Sequence, residues 1–369
     1  MAHTFTAKVG SDRYPIIIGV DIFQELLAFL KTYPEKSIFI ICDSYFENLN
    51  CQYSKKLELI KKFNHIFIEG GIESKSISSY ENVLKVLSDK KIAKDGLIVA
   101  IGGGVTGDLA AFIASTYQRG IDLIHIPTTT TAMIDSSVGG KTGLNCLDQV
   151  NLIGSYYNPK AIFMDLEFLT TLNNRDYYSG ICEAIKMSIT SDSEMFHRFF
   201  NIRQNLIDKE YEFLDEVIYW SVITKLKHVC DDAKEKSIRL ILNYGHTFGQ
   251  AIESYYGLYQ DTLRHGEAIA LGITTAAKLS TLIYKTSKAK DLYLKTKEIL
   301  TNYYLPTDFE SLNTNNIPLI SKLLENLIND KKRISKGNRF IICESPGEAN
   351  IELIDDHDLL SQSFNTLYK

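Results

Sequence analysis

The stretch LIVAIGGGVTGDLAAF, residues 97–112, decides the fold. It reads as an apolar strand, a glycine-rich turn and then a helix. Gly102, Gly104 and Gly107 fit the spacing G-x-G-x-x-G, in which glycines let the backbone approach a diphosphate and the helix N-terminus offers free N–H groups. The usual acidic residue at the end of the next strand is missing, because Asp122 begins its strand instead. The stretch predicts nucleotide phosphate binding, although a simple tight turn would have the same pattern.

Apolar runs on both sides of this stretch alternate with amphipathic segments. Runs at 14–18, 37–42, 65–69, 97–101 and 122–126 predict strands. Segments near 21–31, 79–90 and 108–117 predict helices. This alternation indicates a mostly parallel sheet covered on both faces, and such sheets bind nucleotides at the carboxyl ends of their strands.

After about residue 170 the helical period dominates the pattern. Helices are predicted at 183–190, 211–234, 245–257, 266–286 and 317–329, and a hairpin is predicted from RFIIC (339–343) and NIELI (350–354). We therefore expect an α/β nucleotide-binding domain with a parallel sheet at 1–172. A mainly α-helical metal- and substrate-binding domain is expected at 173–369.

Composition excludes several classes of protein. The net charge is -5, and no basic cluster indicates nucleic acid or a membrane surface as a partner. Neither a membrane-spanning apolar run nor a secretory signal is recognised. The six cysteines form no C-x-x-C pair, so a reduced, cytoplasmic setting is expected.

Three segments of the helical half carry residues suited to a metal ion. GICEAIK places Glu183 and Lys186 three residues apart on one helical face. His246 and His265 each stand beside a glycine at the start of a predicted helix. Two histidines and one carboxylate leave an open coordination position, which is the pattern of catalytic zinc. One such histidine alone would be taken as an ordinary half-buried residue, but the paired contexts favour a ligand set.

A series of motifs runs in order along the chain. They are IGGGVTGD, STYQRG, IPTTTTAMIDSSVGGKTG, NLIGSYYNP, FLTTLNNRD, GICEAIK, LNYGHTFGQAIE, RHGEA and DKK. Together they resemble the 3-dehydroquinate synthase family and its sugar phosphate cyclase relatives, from about residue 10 to about residue 345. The resemblance implies conversion of 3-deoxy-arabino-heptulosonate 7-phosphate to 3-dehydroquinate and phosphate, a step of the shikimate pathway. NAD+ would oxidise a ring hydroxyl and NADH would later return the hydride, so that NAD acts as a catalyst.

The resemblance also implies roles for individual residues. The metal, expected to be Zn2+ with Co2+ as an alternative, would be held by Glu183, His246 and His265. Groups that would contact the reacting substrate or its carboxylate and phosphate are Asp135, Lys141, Asn151, Lys186, Lys225, Arg239 and Asn243. Lys225 and Arg239 would bind a carboxylate, and Asp135 and Lys186 would move protons. Without the motifs, Asp135 could simply cap a helix.

Further residues are implied for the cofactor and the substrate phosphate. The cofactor contacts would be Asp43, Glu73, Lys75, Gly103, Gly104, Val105, Gly107, Asp108, Thr128, Thr129, Lys141 and Thr171. The phosphate contacts would be Arg119, Gln250, Lys331 and Lys332. Arg119 would reach the site of a neighbouring subunit, so a homodimer is implied.

Three positions depart from the family pattern. Val150 replaces a lysine, Gln250 replaces a histidine, and Ile72 stands where the family has a glutamate, with Glu73 displaced by one place. Gln250 can donate a hydrogen bond but cannot carry a charge. Because of these changes, a different sugar phosphate cyclase activity remains an alternative, such as that of a 2-epi-5-epi-valiolone, 2-deoxy-scyllo-inosose or amino-dehydroquinate synthase. The retained Lys225 and Arg239 favour a substrate with a carboxylate.

Two hypotheses from other classes also remain. An NAD-dependent polyol or glycerol phosphate dehydrogenase can share the two-domain plan, but it would release free NADH. A member that binds ligand without turnover would fit the changes at Val150 and Gln250. The intact metal set and Lys186 argue against that second hypothesis, because binding alone does not require proton-transfer groups.

Overall fold

The computed structural model describes residues 2–47, 58, 60–147, 149–257, 262–312, 314–328 and 338–368. Its N-terminal strands are β1 (His3–Val9), β2 (Asp12–Gly19), β3 (Ile38–Asp43), β4 (Asn64–Ile68), β5 (Leu97–Gly102), β6 (Asp122–Pro127), β7 (Lys141–Cys146), β8 (Gln149–Tyr156) and β9 (Ala161–Asp165). Seven of them form one sheet in the order β1-β2-β9-β6-β5-β3-β4, while β7 and β8 pair separately. All neighbours in the large sheet are parallel except β1 and β2.

The central strands of this parallel sheet are apolar on both faces. Every residue of β5 is buried, as expected for a strand covered on both sides. Gly102 at the end of β5 lies opposite Pro127 at the end of β6, and Cys42 near the end of β3 lies opposite Ile101. The carboxyl ends of these three strands therefore meet at one edge, where ligands of such sheets bind.

Among the residues that the structure describes, three helices accompany the large sheet along the chain. They are α1 (Phe23–Leu30), α2 (Ile77–Asp89) and α3 (Gly104–Thr116). A core of buried side chains joins the sheet to α2 and α3, including Phe39, Ile98, Val83, Leu109 and Ile113. The helix predicted at 108–117 thus begins earlier, at Gly104 within the glycine-rich stretch.

The C-terminal half is mainly helical. Its helices are α4 (Asn174–Ser191), α5 (Ser193–Asn201), α6 (Arg203–Ile207), α7 (Tyr211–Asp231), α8 (His246–Tyr256), α9 (His265–Tyr284), α10 (Ser287–Asn302), α11 (Ile320–Ile328) and α12 (His357–Phe364). The predicted hairpin is confirmed as β10 (Asn338–Cys343) and β11 (Ala349–Ile354). The fold class predicted from the sequence is confirmed. No helix among the described residues is both long and apolar enough to cross a membrane.

The chain divides into two compact units. The first consists of Met1–Leu172 and Leu214–Lys234, and the second of Asn173–Phe213 and Glu235–Lys369. The sequence predicts one boundary after residue 172, whereas the structure also assigns most of α7 to the first unit. We therefore keep the two-domain division as a proposal, with residues 214–234 placed in the first unit.

Helices α4, α8 and α9 of the second unit approach one another at glycines. A Cβ on Gly266 would lie 2.0 Å from the Ser179 carbonyl oxygen, and one on Gly245 would lie 2.6 Å from the Ile273 nitrogen. Gly245 also has a φ of 76°, which L side chains rarely adopt. These glycines let the first residues of α8 and α9 lie close to the middle of α4.

Candidate metal centre and nucleotide site

Glu183, His246 and His265 come together in the second unit, one on each of α4, α8 and α9. Each offers one ligand atom, and these atoms lie within 4.8 Å of one another. Glu183 Oε1 is 3.8 Å from His246 Nε2 and 3.5 Å from His265 Nε2. Tetrahedral bonds of about 2.0–2.2 Å place ligand atoms roughly 3.3–3.6 Å apart. The arrangement therefore fits one divalent ion with small side-chain adjustments.

The chemistry of Glu183 supports this fit. The residue is 1% exposed, and its Oε1 atom has no hydrogen-bond partner among the described residues. Its Oε2 atom accepts a hydrogen bond from Lys186 Nζ at 2.5 Å. A buried carboxylate oxygen without a partner is costly, and a cation bound by Oε1 and the two imidazoles would remove that cost.

Both histidines are oriented through their Nδ1 atoms. His246 Nδ1 lies 3.4 Å from the Tyr244 carbonyl oxygen, and His265 Nδ1 lies 2.8 Å from Glu253 Oε1. Such contacts fix the ring and leave Nε2 for a metal. The sequence reasoning missed Glu253, although its position seven residues after His246 places both on one face of α8.

The charges around the centre favour ionised ligands. Burial alone would raise the pKa of Glu183, but Lys186 and the two imidazoles lower that pKa well below its usual value. Partial desolvation opposes protonation of His265, whose side chain is 43% exposed, yet Glu253 and Glu183 outweigh it and raise the pKa of His265 to about 10. Because a ligand nitrogen must release its proton, a metal ion competes with a proton at His265.

A charged network holds the start of α9 against α4. Arg175 donates to both carboxylate oxygens of Glu267, at 2.6 and 2.7 Å. Glu267 also accepts a hydrogen bond from the Arg264 backbone N–H at 2.8 Å. Bidentate arginine–carboxylate pairs impose a defined geometry. Since His265 lies between Arg264 and Glu267, the network restrains the position of its imidazole.

The glycine loop of the first unit leads from β5 directly into α3. A Cβ on Gly103 would lie 3.0 Å from the Thr129 side chain, and one on Gly104 would lie 3.0 Å from Ser136 Oγ. Gly103 precedes the helix as its N-cap residue, so the N–H groups of the first turn have no partner within the helix. The loop thus combines close packing with a free helix N-terminus, a geometry that is known to bind phosphates in other proteins.

Other predicted cofactor contacts follow the carboxyl ends of strands. Asp43 ends β3 and accepts the Tyr45 backbone N–H at 2.9 Å, while burial raises the pKa of Asp43. The Tyr45 hydroxyl donates to the Thr171 carbonyl at 3.0 Å, so Tyr45 links these two residues. Thr128 follows β6 and donates its N–H to the Gly102 carbonyl at 2.9 Å. Val105 and Gly107 lie in the first turns of α3.

Four predicted site residues of the first unit form two ion pairs. Lys75, which is buried, donates to Asp108. Lys225 Nζ donates to the Asp135 backbone carbonyl and, at 2.6 Å, to its carboxylate. Burial raises the pKa of Asp108 despite Lys75, and the charges of Asp135 and Lys225 also act on it. The sequence indicates Lys225 as a partner of Arg239, whereas this contact with Asp135 was not foreseen.

The remaining predicted residues of the first unit lie at the ends or edges of elements. Lys141 begins β7 and is exposed, as is Glu73 in the short helix Ile72–Ser74. Arg119 is exposed in the short helix Tyr117–Arg119. Asn151 lies in β8 with a φ of 52°, and its N–H donates to Asn145 Oδ1 at 3.0 Å.

Three predicted residues of the second unit remain to be placed, and two more lie outside the described residues. Arg239 is 2% exposed in the short helix Ile238–Asn243. Asn243 donates to Glu235 Oε1 at 2.8 Å. Gln250 is half-buried on α8, one turn after His246. Lys331 and Lys332 lie outside the described residues.

Solved structures share this fold at low sequence identity. A 2-epi-5-epi-valiolone synthase from Streptomyces hygroscopicus subsp. jinggangensis 5008, with NAD+ and Zn2+ bound, has a TM-score of 0.85 at 20% identity over 98% of both chains. A 2-deoxy-scyllo-inosose synthase complexed with carbaglucose-6-phosphate, NAD+ and Co2+ has a TM-score of 0.80 at 24% identity, covering 98% of this chain and 99% of that one. A probable glycerol dehydrogenase from Sinorhizobium meliloti 1021 has a TM-score of 0.61 at 15% identity, covering 95% of each.

Sequence comparison is more specific. Residues 65–179 match the family described as 3-dehydroquinate synthase N-terminal, and residues 180–333 match 3-dehydroquinate synthase C-terminal. The 3-dehydroquinate synthase of Clostridium botulinum (strain Alaska E43 / Type E3) is 36% identical over 342 residues, 91% of this chain and 93% of that protein. The enzyme of the same name from Dictyoglomus thermophilum (strain ATCC 35947 / DSM 3960 / H-6-12) is 37% identical over 356 residues, 96% and 95% respectively. With both halves matched and identity sustained over nearly its whole length, the chain belongs to the 3-dehydroquinate synthase family.

Proposed function

We propose that this chain acts as a 3-dehydroquinate synthase, converting 3-deoxy-arabino-heptulosonate 7-phosphate to 3-dehydroquinate and phosphate with catalytic NAD+ and one divalent metal ion. The observation that carries the proposal is the grouping of Glu183, His246 and His265 around a buried carboxylate oxygen that has no hydrogen-bond partner among the described residues. Relatives named for this activity, at 36% and 37% identity, support the same choice.

The two units would hold the two cofactors. Bound NAD+ supplies a hydride acceptor, and the divalent ion supplies a Lewis acid for a substrate hydroxyl. The first turn of α3, from Gly103 to Asp108, would donate N–H groups to the diphosphate. Asp43 would accept hydrogen bonds from the adenosine ribose. Thr128, Thr129 and Thr171 would contact the nicotinamide half, with Glu73, Lys75 and Lys141 as further cofactor contacts.

Lys186 would orient the metal-binding carboxylate and help to move a proton. It is 2% exposed, and its hydrogen bond to Glu183 Oε2 leaves Oε1 directed at the two histidines. An ammonium group has three donors, so Lys186 would also hydrogen-bond a substrate hydroxyl and stabilise the oxygen as its proton leaves.

Asp135 would be the second proton-transfer group. Its side chain is 34% exposed, whereas that of Lys225 is 6% exposed. Lys225 fixes the conformation of Asp135 by bonding both its backbone carbonyl and its carboxylate. A general base must be held in reach of the proton that it abstracts, and this anchoring supports that role for the carboxylate.

Recognition of the substrate's anionic groups would fall to the cationic and amide side chains. A buried guanidinium such as Arg239 binds a carboxylate through two parallel hydrogen bonds, which favours a keto acid substrate over a simple sugar phosphate. The residues proposed for the phosphate are Arg119, Lys141, Asn151, Asn243, Gln250, Lys331 and Lys332.

We also infer a Zn2+ ion, a homodimer and a cytoplasmic location. The solved relatives hold Zn2+ or Co2+, and a ligand set of two histidines and a carboxylate suits both ions. The homodimer rests on the family resemblance and the role it implies for Arg119. The cysteines that the structure describes are all free, as expected in a reducing compartment.

The test is a phosphate-release assay on purified, Zn2+-loaded protein with catalytic NAD+. We expect rapid release from 3-deoxy-arabino-heptulosonate 7-phosphate and none from sedoheptulose 7-phosphate or glucose 6-phosphate, run in parallel. Release from a sugar phosphate alone would refute the proposal. It would identify another cyclase, for which the departures at Val150 and Gln250 would be the specificity determinants. Net NADH formation with any substrate would instead indicate a polyol or glycerol phosphate dehydrogenase.

A further inference from the structure

A small cavity lies beneath the glycine loop, within the first unit. Its walls include Gly102, Gly103 and Gly107 from the loop, His125 from β6, and Ser137. The cavity measures about 10 Å³, which is close to the space that one water molecule needs. A cavity lined by polar groups at a helix N-terminus is suited to a solvent molecule or to an oxygen of a bound anion.

His125 is buried in this wall without a partner. It is 6% exposed, and no hydrogen bond or ion pair joins its ring to another described residue. Burial lowers the pKa of His125 to about 4, so the imidazole is neutral at pH 7 and offers one donor and one acceptor. A Cβ on Gly107 would lie 3.6 Å from its Cε1 and Nδ1 atoms, which places the ring directly under the first turn of α3.

Ser137 supplies a second buried polar group. It is 4% exposed, and its Oγ atom has no hydrogen-bond partner among the residues that the structure describes. Buried polar groups are nearly always paired in folded proteins, and each unpaired one calls for an explanation. Leu123, two places before His125 on the same strand, belongs to the apolar core, so an apolar side chain at 125 would suit the same face.

We propose that His125 is a positioning residue for the dinucleotide, which together with Ser137 holds one water molecule that hydrogen-bonds the cofactor diphosphate at the glycine loop. The inference rests on the proposed function in so far as NAD+ is the ligand of this loop. The water would satisfy His125 and Ser137 and present a donor to a phosphate oxygen, adding to the N–H groups of α3.

The test compares His125→Leu with His125→Gln. NAD+ binding is measured by isothermal titration calorimetry on metal-loaded protein, and the melting temperature is measured without added nucleotide. Loss of one hydrogen bond to a charged group should raise the NAD+ Kd of His125→Leu about tenfold. His125→Gln keeps a donor and should stay within about threefold of wild type. Because an apolar side chain at 125 suits the strand face on which Leu123 packs, the melting temperature of His125→Leu should be equal to or above that of wild type.

A control variant and a second ligand separate the outcomes. His65→Gln alters a half-buried histidine on β4 whose ring contacts the Phe63 carbonyl, and it should change neither quantity. ADP-ribose carries the diphosphate without nicotinamide, so His125→Leu should weaken its binding equally. An unchanged Kd in His125→Leu, a loss confined to NAD+, or an equal fall of melting temperature in both His125 variants would overturn the inference. Wild-type protein that binds no NAD+ would refute the proposed function itself.

Discussion

Replacing Gly266 with alanine should separate the proposed metal ligands. A Cβ at this position would lie 2.0 Å from the Ser179 carbonyl oxygen, whereas ordinary van der Waals contact begins at 3.4 Å. Since the obstacle is backbone of α4, α9 must move away by about 1.4 Å to relieve the overlap. His265 is the neighbouring residue, so its Nε2 would move from 3.5 Å to about 5 Å from Glu183 Oε1. That spacing exceeds the roughly 3.3–3.6 Å that one tetrahedral ion allows.

Two effects of different size are therefore expected from Gly266→Ala. Overpacking of this kind typically costs about 1–3 kcal/mol of stability, and the clash with backbone places this variant at the upper end. Zn2+ affinity should fall by about 10–100-fold, the range seen when the orientation of a ligand is lost. Affinity is measured by competition with a chromophoric chelator, and stability is measured by thermal unfolding of the metal-free protein.

Gly257→Ala is the matched control for this variant. Gly257 ends α8 with a φ of 81°, and a Cβ there would meet nothing within 4 Å. Alanine in that conformation is strained and should lower stability by about 1 kcal/mol, but it leaves the contact between α4 and α9 intact. Zn2+ affinity should then be unchanged. Wild-type Zn2+ affinity in Gly266→Ala would refute the reasoning, because the close helix contact would not set the ligand spacing.

Three further predictions concern the same chemistry. Glu253→Gln removes the charge that orients His265 and should weaken Zn2+ binding about 10–100-fold; a Kd within twofold of wild type would show that Glu253 has no such role. Because the pKa of His265 is raised to about 10, protonation should stabilise the metal-free fold fully below about pH 6.5 and lose that contribution as the pH rises to 10. The difference in melting temperature between wild type and His265→Asn in chelator should therefore shrink across that range, and a constant difference would contradict the assignment. Arg239→Met should lower kcat/KM for the keto acid phosphate by about 10–150-fold, since a charge-assisted contact is worth about 1.5–3 kcal/mol, and an unchanged kcat/KM would mean that the substrate carries no carboxylate there.

Strands β3, β5 and β6 could be predicted because they are mostly apolar and buried. The sequence prediction missed β9, although that strand is equally buried, and β1, β7 and β8 lack a clear apolar run. β1 pairs with β2 at the edge of the sheet and is mostly exposed, so its sequence HTFTAKV has no apolar run. β7 and β8 contain glycine and asparagine, and Leu147, which follows β7 at the turn between them, has a φ of 51°. The stability of such a hairpin comes from its tertiary setting rather than from local propensity.

In the proposed site, too, some residues can be predicted from short motifs, whereas others are brought together only by the tertiary fold. The ligand types and their glycine neighbours are readable in short motifs, because close helix packing requires glycine beside a bulky ligand. The ion pair of Lys225 with Asp135 spans 90 positions of the sequence, and no local pattern reports it. His125 is similarly hidden, since a single histidine in an apolar strand is indistinguishable from an ordinary core residue until its missing partners and the adjoining cavity are seen.

The division of the chain into two units bears on how these proposals can be separated. Glu183, His246 and His265 all belong to the second unit, whereas the glycine loop and His125 belong to the first. Each group is held by contacts inside its own unit: the metal ligands by the close approach of α4, α8 and α9, and the loop by the ends of β5 and β6. Loss of turnover in a variant can therefore be traced to metal or to nucleotide by measuring the binding of each separately.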